Sequence, residues 1–218
     1  MMICPETFYE MELKGKTKEE IMTVIRGLKR EIGHLKNVME NPEYDSREWV
    51  IHPTEKVQIS MNREYLERSK QALVEAGGTY TPSKAERRAM DFEDCIPFIK
   101  KIVFAKGGFF GGYETKTYTV DGDKINVQVE HTFNESSDKN GENDAWNKEE
   151  FLELFKDLHI GEWRRNYDTF RFGVAVMDGT QWWLEIYFSN GRRPVKIYGS
   201  NAYPYNFDRL LELFEMED

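Results

Sequence analysis

The sequence predicts an α+β fold, in which an N-terminal antiparallel helical hairpin is followed by an antiparallel β-meander with packed helices. Apolar residues recur every three or four positions through residues 21–73, which is helical spacing, whereas from Lys100 onward they alternate with polar residues, as in strands. Asp-Gly and Asn-Gly pairs, typical of tight hairpin turns, interrupt the alternating part. We therefore predict a helical region over residues 1–96 and an antiparallel α+β domain over residues 97–218.

Helix-start and helix-stop signals delimit three helices in the helical region. Thr17 and Glu20 have the spacing of a capping box, in which each side chain accepts a hydrogen bond from the other residue's backbone amide. The first helix begins there and ends before Pro42. Glycine and proline signals predict a second helix over residues 54–76, with Val57 facing inward, and a short third helix over residues 81–95.

The densest aromatic segment of the chain lies in the alternating part. A strand is predicted over residues 181–189, between the turn pairs Asp178-Gly179 and Asn190-Gly191. Its side chains alternate between two faces, one of them apolar. The other face carries two aromatic rings around a carboxylate, namely Trp183, Glu185 and Tyr187. Such a face is predicted either to pack against a further layer or to bind a partner.

Two other segments are distinctive. The glycine-rich residues 106–113 continue into a strand rather than a helix, so they fit neither a P-loop nor a dinucleotide-binding loop. We expect a β-turn or bulge there, with a ligand-covering flap as the alternative. Residues 134–160 hold eight acidic and three basic residues, in a loop followed by a helix that begins after Asn147. This run is either a solvated surface or an acidic surface that docks on a basic partner.

Composition restricts the class of protein. The 218 residues are 39% hydrophobic and 32% charged, as in soluble globular proteins, and no apolar run approaches the roughly 20 residues of a membrane span. No secretory signal is predicted, so we expect a cytoplasmic location and no membrane partner. A net charge of −9 disfavours a chain-wide nucleic-acid surface. Cys4 and Cys95 form no metal-binding cluster, and no motif predicts a metal or a cofactor.

Arginines and aromatic residues form the candidate binding site. Guanidinium groups beside flat rings are one way to hold a phosphate, a carboxylate or an unstacked base. For Arg192 and Arg193, the alternative explanation is simple exposure after a turn. For Tyr203 and Tyr205, the alternative is a structural role, in which the two rings clamp a C-terminal helix predicted over residues 207–216 while Asn201 satisfies buried backbone groups. The candidate residues are Arg164, Arg165, Arg192, Arg193, Trp183, Tyr187, Tyr203, Tyr205, Phe109 and Phe110.

No catalytic motif is found in the sequence. The four histidines are not at metal-ligand spacing, and GxSxG, HExxH, SxxK and kinase-type motifs do not occur. A catalytic pocket would require the fold to bring Glu130, His131 and Glu185 together. We therefore assign no catalytic residue.

Five stretches of the chain are distinctive enough for comparison: IRGLKREIGHLKNVME, AGGTYTPSKAE, GGFFGGYETKTYT, LHIGEWRRNYD and DGTQWWLEIYFSNGRRPVKIYGSNAYPYNF. They resemble a family of uncharacterised hypothetical proteins from anaerobic gut bacteria, several of them carried on mobile elements. The resemblance covers most of the chain and implies a bacterial cytosolic accessory protein. It implies no activity, no cofactor and no site residue.

We expect a non-enzymatic intracellular protein that binds an unidentified protein partner through its surfaces. A role as a mobile-element accessory or inhibitor is implied by the resemblance alone. The alternatives are an anion- or nucleic-acid-binding module that uses the C-terminal arginines and aromatic residues, and an uncharacterised enzyme.

Overall fold

The fold is α+β, as the sequence predicts. The computed structural model describes residues 3–44, 51–108, 111–132, 146–176 and 178–216. Within them, six α-helices accompany a seven-stranded, mostly antiparallel sheet. The chain divides into two compact units, Met1–Pro82 and Ser83–Asp218. The boundary between the two units lies earlier in the chain than the expected boundary between residues 96 and 97, because the third predicted helix packs with the second unit.

The first unit is a helical hairpin. The described helices are α1 (Pro5–Phe8), which continues as a π-helical turn (Tyr9–Leu13), α2 (Lys18–Met39) and α3 (Glu55–Glu75). The predicted capping box is confirmed, since the Thr17 hydroxyl accepts the Glu20 amide at 3.3 Å and the Glu20 carboxylate accepts the Thr17 amide at 2.8 Å. These bonds satisfy amides that the first turn of α2 leaves without an intrahelical partner.

Apolar stripes hold α2 and α3 together. The stripe of α3 passes through Ile59, Leu66 and Leu73, which are all buried. The prediction that Val57 faces inward is wrong, because Val57 lies off this stripe and is 39% exposed. The buried residues of α2 are Ile21, Ile25, Ile32, Leu35 and Met39.

The second unit contains the sheet. Its helices are α4 (Lys84–Glu93), α5 (Lys148–Lys156) and α6 (Phe207–Leu213), and its strands are β1 (Ile99–Gly108), β2 (Gly112–Asp121), β3 (Lys124–His131), β4 (Trp146–Asn147), β5 (Asn166–Asp168), β6 (Thr180–Phe188) and β7 (Val195–Ser200). The strand order is β4-β3-β2-β1-β6-β7-β5. The meander from β1 to β4 therefore lies on one side of β1, and β6 and β7 extend the other side. Only the β5–β7 pair is parallel among these neighbours.

Two of the predicted turns join neighbouring strands of the meander. Asp121 pairs with Lys124, which leaves a two-residue turn between β2 and β3. Gly108 pairs with Gly112, so the glycine-rich segment is the hairpin between β1 and β2. Glycine is required inside this hairpin, because a Cβ on Gly107 would lie 2.0 Å from the carbonyl oxygen of Gly112.

The other two predicted turns differ from tight hairpins. Residues 189–194 separate β6 from β7, which is longer than a two-residue turn. Asp178-Gly179 joins no pair of strands, because residues 174–176 are not in a strand. Asn201 organises this corner instead, since its Oδ1 accepts the backbone amide of Thr180 at 2.8 Å, and a Cβ on Gly179 would lie 2.0 Å from that oxygen. The predicted bonding of backbone groups by Asn201 is thereby confirmed.

One face of the sheet forms the core of the second unit. The alternation predicted for β6 is confirmed, because Trp182, Leu184, Ile186 and Phe188 are all buried. Helices α4, α5 and α6 and the residue that follows α6 cover this face with aromatic and aliphatic side chains, which include Phe92, Phe151, Phe155, Phe207, Leu210 and Phe214.

Candidate functional site

The second face of the sheet, here named the open face, is the candidate functional site. The buried core cluster of the second unit takes none of its members from this face. The strand register places its side chains in rows that cross β2, β1, β6 and β7. These side chains include Lys101, Val103, Ala105, Tyr113, Thr115, Thr117, Gln181, Trp183, Glu185, Tyr187, Lys196 and Tyr198.

An aromatic row runs across the middle of the open face. Ala105 pairs with Trp183, and Trp183 pairs with Tyr198 on the next strand. Tyr198 is 45% exposed. Tyr113 packs against Trp183 with 5.2 Å between the ring centroids, and its hydroxyl donates to the side-chain oxygen of Gln181 at 3.1 Å. Neighbouring strands lie about 4.8 Å apart, so the row presents flat rings over roughly 10 Å.

A hydrogen-bonded carboxylate lies beside this row. Lys196 Nζ is 2.7 Å from Glu185 Oε1, and the Tyr187 hydroxyl donates to the same carboxylate. Lys101 Nζ lies 4.8 Å from the centroid of the Tyr187 ring. Only 16% of the Glu185 side chain is exposed. These contacts fix the rotamers of charged and aromatic side chains before any partner binds.

The same contacts keep Glu185 ionised. Burial by itself raises the pKa of this carboxyl, but the hydrogen bonds from Lys196 and Tyr187 and the charges of Lys196 and Lys101 outweigh it and lower the pKa below its ordinary value. The pKa of Lys196 is raised, chiefly by its hydrogen bond to Glu185. The network is therefore a closed ion pair near neutral pH rather than an acid or base available for proton transfer.

The aromatic candidates from the sequence fall in different places. Trp183 and Tyr187 lie on the open face. Tyr203 and Tyr205 pack, partly buried, against the core of the second unit, and the Tyr203 ring is 4.7 Å from that of Phe207. Tyr203 thus contacts the first residue of α6, as its structural alternative to a binding role expects. Phe109 and Phe110 lie outside the described residues.

The arginine candidates also separate. Arg165 and Arg192 line one pocket, and Arg164 and Arg193 are not among its lining residues. Arg88 of α4 completes the pocket and was missed by the sequence analysis. A signal for Arg88 existed, because it lies one helical turn before the buried Phe92 and so borders the apolar stripe of α4.

The three residues considered for catalysis are not brought together. Glu130 and His131 are consecutive on β3, so their side chains point to opposite faces. Glu185 is on β6, and β2 and β1 lie between β3 and β6, a separation of roughly 14 Å. Within the described ranges, no group of three or more His, Cys, Asp or Glu residues is arranged to hold a metal ion.

Comparison with protein-family models, with curated proteins and with solved structures found no match for the chain. None of the described helices is long and apolar enough to cross a membrane. Function is therefore inferred from the geometry of the open face and of the arginine pocket.

Proposed function

We propose that the protein is a non-enzymatic interaction protein that docks another protein on its open face. The supporting observation is the aromatic row, in which Trp183 and Tyr113 are half-buried and Tyr198 is exposed, on a sheet face that supplies no member of the buried core cluster of its unit. Tryptophan and tyrosine are enriched at the centres of protein interfaces, where they bury large areas at low entropic cost.

Charge favours a protein over a nucleic acid as the occupant. Single-stranded nucleic acids also stack on aromatic rings, but their binding requires a surplus of basic side chains. On the open face, Lys196 is paired with Glu185. Glu130 on β3, opposite Thr115, adds a second carboxylate to the same side of the sheet, so the charges of Lys101 and Lys196 are matched in number by two acidic groups. The balanced face and the chain's net charge of −9 suit a partner whose contact surface is apolar at its centre and carries amides or hydroxyls at its rim.

The Glu185 network supports this role by preorganisation. Tyr187 is held by Glu185 on one side and by the ammonium group of Lys101 on its ring face. A ring already fixed in one rotamer loses less entropy when a partner covers it. We expect Trp183 to be the main anchor, because it stands between Ala105 and Tyr198 in the row.

Site-specific photo-cross-linking in the native cells tests the proposal. A photoreactive amino acid replaces Tyr198, and the matched control places it at Leu154 on α5, which is 40% exposed. We expect a discrete cross-linked protein from position 198 only, identified by mass spectrometry. Purified with the chain, that protein should bind it directly, and Trp183→Ala should weaken binding by roughly 30-fold, as for an interface hot spot.

Three outcomes would contradict the proposal. They are equal labelling from both positions, a cross-linked product that is a second copy of this chain, and unchanged affinity of the purified partner for Trp183→Ala. Saturable, steeply salt-dependent binding of single-stranded RNA or DNA that is lost in Trp183→Ala would replace the protein partner by a nucleic acid.

A further inference from the structure

An arginine pocket opens in the second unit, and the open face plays no part in forming it. Arg88 comes from α4, Arg165 precedes β5, and Arg192 lies between β6 and β7. The pocket is a small concavity that opens to solvent. Its remaining walls are mostly apolar and consist of Phe92, Ile160, Gly161, Trp163, Val195 and Ile197.

Backbone and sulfur acceptors hold two of the arginines in place. Arg88 Nη2 donates to the carbonyl oxygen of Trp163 at 2.9 Å. Arg192 Nη1 donates to the carbonyl oxygen of Asp91 and lies 2.8 Å from the sulfur of Cys95. A guanidinium has five N–H donors, so each group keeps further donors for a ligand.

The third arginine is held more loosely. Arg165 Nη1 donates to the carbonyl oxygen of Lys196 at a long 3.4 Å. Burial, followed by the positive charges of Arg88 and Arg192, lowers the pKa of Arg165. Arg88 and Arg192 are thus close enough to Arg165 to repel its guanidinium group.

No described carboxylate forms an ion pair with Arg88, Arg165 or Arg192. Their partners are carbonyl oxygens and a sulfur atom, which fix the groups without cancelling their charge. Three like charges around one concave site create a positive potential that a bound anion would relieve.

We propose that the arginine pocket binds the dianionic phosphate group of a small phosphomonoester. Three guanidinium forks match a tetrahedral group with three terminal oxygens and two negative charges. A carboxylate, with two oxygens and one charge, would leave most of the positive charge uncompensated. The proposal is independent of the docking role, because the open face supplies none of the lining residues.

Isothermal titration of the full chain with inorganic phosphate tests the proposal, with acetate and chloride at equal ionic strength as controls. Adjacent arginines provide matched variants, since Arg165→Gln and Arg192→Gln alter the pocket whereas Arg164→Gln and Arg193→Gln remove the same charge outside it. We expect saturable binding of phosphate and not of acetate, weakened roughly tenfold or more by the pocket variants. The control variants should change affinity less than about twofold.

Further titrations identify the class of phosphomonoester that binds, and a conservative variant separates loss of binding from loss of folding. Phosphoserine and a nucleoside monophosphate, compared with inorganic phosphate, show which phosphomonoester gains affinity from the aromatic walls. Arg165→Lys keeps the charge but loses the fork, so it should bind phosphate more weakly than the wild type while its urea midpoint stays unchanged. No saturable phosphate binding, equal binding of acetate, or equal effects of Arg164→Gln and Arg165→Gln would overturn the proposal.

Discussion

Replacing Gly199 with alanine is expected to destabilise the second unit, because the indole of Trp182 lies directly over this glycine. A Cβ there would be 2.0 Å from Trp182 Nε1 and 2.2 Å from Cε2. Trp182 is 1% exposed, and its N–H donates to the carbonyl oxygen of Ala202 at 3.0 Å. The ring cannot move without disturbing its neighbours, among them Phe207, whose ring centroid is 4.8 Å away.

Two terms set the magnitude of this effect. Overpacking a dense core costs about 1–3 kcal/mol. Displacing the indole weakens its hydrogen bond and leaves the buried Ala202 carbonyl unsatisfied, which adds about 1 kcal/mol or more. We therefore expect Gly199→Ala to lower the free energy of unfolding by about 2–4 kcal/mol. Gly111→Ala is the control, because a Cβ at Gly111 has nothing within 4 Å.

Urea unfolding followed by circular dichroism measures the effect, and a double-mutant cycle assigns its cause. Trp182→Phe removes the indole nitrogen nearest the new methyl group, so Gly199→Ala should cost at least about 1 kcal/mol less in that background. An equal cost in both backgrounds, or a cost no larger than that of Gly111→Ala, would refute the steric reasoning.

Three further outcomes are expected from the structure. The pKa of Glu185 is lowered in the folded state, so the ionised carboxylate stabilises the fold above the ordinary glutamate pKa of about 4.3, and this stabilisation is lost as the pH falls through the folded-state pKa. Between about pH 6 and pH 3, the urea midpoint should therefore fall more in the wild type than in Glu185→Gln. Asn201 has φ +51 and accepts the Thr180 amide, so calorimetry should show Asn201→Ala more destabilising, by about 2 kcal/mol, than Asn201→Gly, by about 1 kcal/mol. Ser83→Ala should cost about 1 kcal/mol in urea unfolding by removing the N-cap of α4, whereas Ser189→Ala, at an exposed hydroxyl after β6, should cost less.

Local chemistry made much of the fold predictable. The capping box and the apolar stripe of α2 and the alternation of β6 depend on residues a few positions apart, so the sequence contains the whole interaction. The turn at residues 189–194 was less predictable, because an Asn-Gly pair favours a positive φ without fixing the length of the loop around it. The corner at Gly179 depends on Asn201, which is distant in sequence, and so local turn preferences could not describe it.

The candidate sites show the same division. Trp183 and Tyr187 were predictable as members of one strand face, because the period of a strand fixes which side chains share a face. That α4 brings Arg88 to Arg165 and Arg192 was not predictable, since the three residues belong to separate segments that meet only through packing. The same long-range geometry places two strands, β2 and β1, between Glu130 and Glu185, and so removes the catalytic pocket considered from sequence.

The sequence by itself determined the α+β class, the helical hairpin, the strand periodicity and the aromatic second face, because each follows from propensities and spacings within one segment. Only the tertiary structure decided that this face stays outside the core of its unit, that β5 joins the sheet edge in parallel, and that three arginines share a pocket. The physical reason is that strand order and helix packing depend on how the apolar surface of the whole unit is buried. This arrangement cannot be read from the residues of any single segment.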